Sequence, residues 1–217
     1  MNCKNDMNEK GIIVIISGFS GAGKGTLVKG ILERSDQLVL SVSVTTRAPR
    51  EGEVEGVDYF YITHERFDKM VENGELLEHA EYVGNGYGTP KAFVDEMMES
   101  GKDVILEIDI QGAMQIRELY PDALLIFVIP PSVEELANRL RKRGTEDEET
   151  IRNRLIRAAD EADGVENYDC ILLNDDLEEA VETLLDVIAN RLRDQKQHMD
   201  LVDQINHDLD MIAKGEE

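Results

Sequence analysis

Short apolar runs rich in β-branched residues alternate with segments of helical periodicity along most of this chain. Residues 12–17 form the first run and feed a helix over 24–34. A second apolar stretch covers 38–44. The third strand, 104–109, follows a helix that carries Phe93, Val94, Met97 and Met98 on one face. Residues 124–129 form a fourth strand that ends at Pro130-Pro131. Residues 170–173 form a fifth, followed by a long helix from Leu177 to about Arg193. Strands this short and apolar are buried on both sides. Alternation with helices therefore predicts an α/β domain, with a parallel five-stranded sheet flanked by helices on both faces.

Two regions break the alternation. Residues 43–92 hold short alternating runs (Tyr59-Phe60-Tyr61-Ile62, Leu76-Leu77, Tyr82-Val83) between glycines, which predicts a small, mostly antiparallel insert with one helix over 65–73. Residues 132–165 are helical and heavily charged. Ser132-x-x-Glu135 and Thr145-x-x-Glu148 read as capping boxes, and Gly144 suits a helix stop between them. The result is a helical hairpin bearing Arg139, Arg141, Arg143, Arg152, Arg154 and Arg157. The core then comprises 11–42, 93–131 and 166–194. Beyond it, in 195–217, Leu201, Ile205, Leu209 and Ile212 share one helical face, which suits a C-terminal helix docked on its own core.

A length of 217 residues fits one large domain with insertions. The net charge is −23, from 23 Lys+Arg against 46 Asp+Glu, and such a surface repels nucleic acid and anionic membrane. Arginines gathered in one place are informative against that background. Cys3 and Cys170 have no metal-ligand spacing and read as reduced thiols. No apolar stretch approaches the roughly 20 residues of a membrane helix. The first ten residues lack an apolar signal region. The expectation is a cytoplasmic protein without nucleic-acid or membrane partners.

Chemistry enters with Gly18-Phe19-Ser20-Gly21-Ala22-Gly23-Lys24-Gly25-Thr26, directly after the first strand. Glycines let a chain turn back over a phosphate without Cβ clashes. Backbone N–H groups and the next helix's N-terminus then face the anion, and Lys24 adds a point charge. The motif usually places Ser or Thr directly after the lysine. Here Gly25 stands there and the hydroxyl follows at Thr26.

A second cluster lies in the insert. Ser43-x-x-x-Arg47-x-x-Arg50 leads through Gly52 and Gly56 to Tyr59, and Tyr87 and Thr89 sit on a later glycine-rich turn. Arginine forks and a phenol can hold a second phosphate. Arg47 and Arg50 fit a salt-bridged surface loop as well. Glu78, beside Leu76-Leu77, sits in a strand-like run where an apolar residue or a solvated face is expected, and taken by itself it reads as a solvated strand position.

The order of these motifs is similar to that of guanylate kinases: Ser43-Val-Thr-Thr-Arg47-x-Pro49-Arg50-x-Gly52-Glu53-x-x-Gly56-x-Asp58-Tyr59, Gly74-x-Leu76-Leu77-Glu78-x-Ala80, Gly84-Asn85-x-Tyr87-Gly88-Thr89, Ile108-Asp109-x-Gln111-Gly112, Pro130-Pro131-Ser132 and Arg139…Arg143-Gly144-Thr145…Arg154. The resemblance covers 11–190. It implies a P-loop kinase fold with a GMP-binding insert (43–92) and a helical lid (132–165). It also implies transfer of the γ-phosphoryl group of ATP to GMP, and to dGMP, giving GDP and ADP in purine nucleotide metabolism. On that resemblance, residues 18 to 26 and Asn174 bind ATP. Ser43, Arg47, Arg50, Tyr59, Glu78, Tyr87, Thr89, Glu107 and Asp109 bind GMP, with Glu78 reading guanine. Lys24, Arg47, Arg139, Arg143 and Arg154 serve catalysis, and Thr26 and Asp109 hold Mg²⁺ directly or through water. Thr89 and Glu107 stand where members often carry Ser and Asp. The same fold also serves as a non-catalytic peptide-binding module, but such a module would lack Lys24, Asp109 or the lid arginines. A GTPase would need a guanine-reading Asn-Lys-x-Asp run, which this chain lacks. A monomer and a homo-oligomer both remain open.

Overall fold

A computed structural model describes residues 10–50, 52–82, 84–142, 148–161, 164–193 and 196–215. Its chain order begins β1 (Ile13–Gly18), α1 (Lys24–Leu32) and β2 (Leu38–Leu40). The insert follows as β3 (Val44–Thr45), β4 (Phe60–Tyr61), α2 (His64–Glu72), β5 (Leu76–Tyr82) and β6 (Asn85–Pro90). The chain returns to the core with α3 (Lys91–Glu99), β7 (Asp103–Glu107), α4 (Ile110–Leu119) and β8 (Leu124–Ile129). The two charged helices are α5 (Val133–Lys142) and α6 (Glu148–Asp160). Then come β9 (Cys170–Leu173), α7 (Leu177–Ala189) and α8 (Met199–Lys214).

The core sheet has the order β2-β7-β1-β8-β9, and every pairing in it is parallel. Every residue of β8 is buried, as befits a strand covered on both faces. In register, Ile15 lies between Leu106 of β7 and Leu125 of β8. With β1 central, its carboxyl end opens where connections leave to opposite sides of the sheet, the usual place for a ligand crevice in such folds. The smaller sheet, β4-β3-β6-β5, has its own cluster of Val44, Phe67 and Met70.

Three expectations change. The apolar stretch 38–44 is divided: Leu38–Leu40 pairs with β7 in the core, while Val44–Thr45 joins the insert. The chain crosses between sheets at Ser41 to Ser43, so one hydrophobic run serves two cores. The helix from Leu177 stops at Ala189, because Asn190 caps it and Arg191 takes a left-handed φ of 49°. On α3, Val94 and Met98 face the core, whereas Phe93 is exposed. The C-terminal helix packs as expected. Val202, Ile205 and Leu209 join the main core with Ile151 and Leu155 of α6, and Leu201 and Ile212 lean against it. Among the described residues no helix is long and apolar enough to cross a membrane.

Candidate functional site

The loop between β1 and α1 is held from inside the protein. Gly18 has φ 143°, and a Cβ there would lie 2.2 Å from the Val128 carbonyl oxygen, so only glycine lets β1 run this close to β8. Phe19 is fully buried and packs edge-on against Phe127 at 5.4 Å. Its side chain anchors the loop and leaves the backbone to face a ligand. Lys24 Nζ donates to the carbonyls of Gly18 (2.6 Å) and Phe19 (3.1 Å), which lays the ammonium across the turn.

From the far side, Asn174 Nδ2 donates to the Ala22 carbonyl at 2.7 Å, and Arg139 Nη1 donates to the same oxygen at 3.1 Å. Arg139 Nη2 also donates to the Asn174 carbonyl at 2.8 Å, and Arg139 Nε donates to Glu135 at 2.8 Å. The Asn174 side chain therefore braces the loop. At Ser132 only one half of the capping box forms: its hydroxyl accepts from Glu135 N–H at 3.1 Å, while the Glu135 carboxylate turns to Arg139. From the end of α6, Glu161 Oε2 accepts from Ser20 N–H at 2.5 Å. Burial raises the pKa of Glu161, against the pull of Ser20 N–H, Lys24 and Arg154.

Asp109 caps α4, its Oδ1 accepting from Gly112 N–H at 2.9 Å. Ser17 Oγ donates to the Ile108 carbonyl at 2.7 Å and ties the end of β1 to this segment. Thr26 is exposed on the first turn of α1. The carboxylate and hydroxyl of Asp109 and Thr26 are hard oxygen donors of the kind Mg²⁺ takes. Among the described residues no three acidic, His or Cys side chains form a metal cage. Mg²⁺ in nucleotide sites is instead held by one or two protein oxygens, waters and phosphates, which fits this donor set.

In the insert, Arg47 forms a fork with Glu53 at 2.9 and 3.0 Å. Glu53 also accepts from Arg50 N–H (2.7 Å) and Tyr61 O–H (2.8 Å). The Arg47 guanidinium is the main reason that the Glu53 carboxyl sits low, at about 2. Arg47 lies 5.4 Å from the Tyr59 ring centre, and Tyr59 and Tyr87 meet edge to face at 6.0 Å. Arg50 is exposed, and Ser43 is half-buried.

Glu78 is buried, only 4% exposed, on the strand facing α4. Thr89, fully buried, donates its hydroxyl to Oε1 at 2.6 Å. Burial, seconded by nearby Asp109, raises the Glu78 pKa to about 7 although the Thr89 hydroxyl opposes the shift. A buried carboxylate with a hydroxyl partner in place of a cation is a candidate for binding a ligand. The solvated-strand reading of this residue does not hold.

Most of the expected residues thus fall into two groups. Residues 18 to 26, Arg139 and Asn174 surround the loop at the head of β1. Arg47, Tyr59 and Tyr87 form a polar cluster in the insert, with Glu78 and Thr89 buried in the same small sheet. Glu107, exposed at the end of β7, acts electrostatically on Tyr59. Arg154 acts the same way on Glu161. Arg143 and the second capping box at Thr145 lie outside the described residues. Glu53 and Glu161 were not singled out from sequence. Glu53 had a local signal, a carboxylate six positions after an arginine in the same motif. Glu161 had none, since its partner is 141 positions away.

The chain is similar to known proteins over most of its length. The family model described as guanylate kinase matches residues 10–191. The guanylate kinase of Oceanobacillus iheyensis is 47% identical over 184 residues, covering 85% of this chain and 89% of the relative. That of Clostridioides difficile is 48% identical over 182 residues, covering 84% and 89%. The crystal structure of guanylate kinase from Anaplasma phagocytophilum superposes with a TM-score of 0.69 at 36% identity, covering 84% of this chain and 87% of that one. On the phosphate loop, the arginine-bearing insert and this extent of likeness, the chain belongs to the guanylate kinase family.

Proposed function

We propose that this chain transfers the γ-phosphoryl group of ATP to the phosphate of GMP or dGMP, giving ADP and the guanosine diphosphate. The observation that carries the reading is the buried Glu78 carboxylate with Thr89 beside it. Guanine presents N1–H and N2–H₂ side by side, and one carboxylate accepts both. Adenine turns a lone pair at N1 toward the same oxygens. Ser43 and Thr89 hydroxyls serve the remaining polar edges of the base.

Both substrates are anionic, so catalysis here is positioning and charge neutralisation. Backbone N–H groups of the loop and Lys24 receive the ATP phosphates. Arg47, Arg50, Tyr59 and Tyr87 receive the phosphate of GMP. Arg139 and Arg154, carried by α5 and α6, bring positive charge to the phosphates as the lid closes and excludes water. Mg²⁺, when bound by Thr26 and Asp109, supplies charge neutralisation at the phosphate oxygens.

Phosphoryl transfer from ATP to GMP, AMP, CMP and UMP tests this directly. GMP is expected to exceed the others in kcat/KM by at least about a hundredfold, as for a site built around a substrate's own donors. Comparable turnover of AMP would overturn the reading. Arg50→Ala removes a charge-assisted partner on the acceptor side alone. Such bonds contribute about 1.5–3 kcal/mol, so KM for GMP is expected to rise about tenfold or more, with KM for ATP within about twofold. An equal rise for ATP would place Arg50 elsewhere.

The pH profile follows from Glu78. Guanine needs the carboxylate form, and in the free protein that form is lost as pH falls below about 7. Below that point kcat/KM for GMP should fall toward tenfold per unit. Glu78→Gln should abolish this step, which separates it from titration of the nucleotide phosphates.

A further inference from the structure

Gly112 lies in the first turn of α4, and its backbone is outside the left-handed region. Alanine is free to adopt that conformation and is the better helix former. The cap at this end would also survive, because Asp109 takes the backbone N–H of residue 112. Nothing in the helix itself therefore asks for glycine. The neighbouring strand does. A Cβ at Gly112 would lie 2.5 Å from Glu78 Oε2, 3.0 Å from Glu78 Cδ and 3.3 Å from Ile108 Cδ1.

Of the two sides, the helix backbone is tied in place, so the carboxylate is the one that gives way. One turn further along α4, Gln115 Nε2 donates to the His79 carbonyl at 3.0 Å, and Gln115 Oε1 accepts from His79 N–H at 3.3 Å. This two-point clamp fixes the distance between α4 and β5 at the residue next to Glu78. The carboxylate itself is held on its other oxygen by Thr89 and is buried, so its movement is confined. An added methyl group at 112 is accommodated only by moving the Glu78 carboxylate.

We infer that Gly112 is a specificity-determining residue: the missing side chain is the space that seats the Glu78 carboxylate, and through it Gly112 sets the choice of nucleobase. This rests on Glu78 as the guanine reader. Gly112 is a positioning residue, since it acts through Glu78.

The test is Gly112→Ala in two backgrounds, with melting temperature and both KM values recorded. In the otherwise unaltered protein, kcat/KM for GMP is expected to fall at least about tenfold, since a reader displaced by a fraction of an ångström to an ångström costs on that order. The GMP-to-AMP ratio should shrink with it, KM for ATP should stay within about twofold, and the melting temperature should not drop. In a Glu78→Ala background the new Cβ meets no carboxylate. There, Gly112→Ala should change GMP turnover by less than about twofold, the non-additivity expected of residues in contact. An unchanged GMP-to-AMP ratio in Gly112→Ala overturns the inference. So does the same further loss in both backgrounds, or a parallel loss for ATP with a lower melting temperature. Glu78→Ala alone keeps the two readings apart. If it leaves discrimination intact, Glu78 is not the reader. If it destroys discrimination while Gly112→Ala does not, only the assignment of Gly112 fails.

Discussion

Lys24→Ala is expected to lower kcat by about a hundredfold to a thousandfold while GMP binding, measured by calorimetry, stays within about twofold. The ammonium sits across the turn of the loop, 2.6 Å from the Gly18 carbonyl and 3.1 Å from that of Phe19. The loop's own carbonyls therefore hold the ammonium at the turn, from which it is expected to donate to the phosphates when charge shifts toward the β–γ bridge. Removing one preorganised donor of this kind costs about 3–4 kcal/mol of transition-state stabilisation, or two to three decades of rate at about 1.4 kcal/mol each. Arg47, Tyr59, Tyr87 and Glu78 lie in the insert and keep their contacts, so the acceptor should bind as before. A variant with ordinary kcat would remove Lys24 from the chemistry. One that no longer binds GMP would show the two halves of the site to be a single unit.

Glu78→Gln is expected to move activity and stability in opposite directions. The amide keeps the size of the side chain but turns one accepting oxygen into a donor. One bond to guanine is lost, and a donor then faces a donor. kcat/KM for GMP should fall at least about a hundredfold, roughly 2.7 kcal/mol at about 1.4 kcal/mol per decade. AMP should lose less, so the GMP-to-AMP ratio shrinks. An unchanged ratio would take the base-reading role away from Glu78.

Stability follows from the sign of the pKa shift. The carboxyl titrates at about 7 in the folded protein, above its ordinary 4.5. Folding therefore favours the protonated form, and this contribution is present at low pH and lost as pH rises from 4.5 to about 7. Above pH 7 the buried charge costs on the order of 3 kcal/mol. Glutamine has no charge to bury, so the variant should melt higher than the parent at pH 8 and much closer to it at pH 5. Equal melting temperatures at both pH values would mean that the carboxylate is better solvated than its burial indicates.

The local features of this chain were legible because their causes are local. Residues 124–129 and 170–173 are strands at their expected bounds, since a short β-branched run has few other ways to be buried. The phosphate loop is where its glycines and lysine placed it, because three of those glycines need backbone angles that side chains resist. α8 buries Ile205 and Leu209 of the face its spacing predicted, while Val202 takes the buried place expected of Leu201.

Features that needed two distant segments were not legible. One apolar stretch, 38–44, was divided between two sheets because β7 offers an edge to Leu38–Leu40 while β6 pairs with Val44–Thr45. Arg47 admitted a structural and a functional reading from sequence alone; the structure shows the ion pair of the first, a fork on Glu53, and sets the guanidinium over Tyr59. The spacing of Glu78 in its strand allowed solvent or interior. Its burial was decided by α4, which Gln115 clamps against β5. The glycine in α4 acquires its meaning only there: helix propensity at Gly112 depends on the residue alone, whereas the space its hydrogen leaves is defined by a carboxylate from another element.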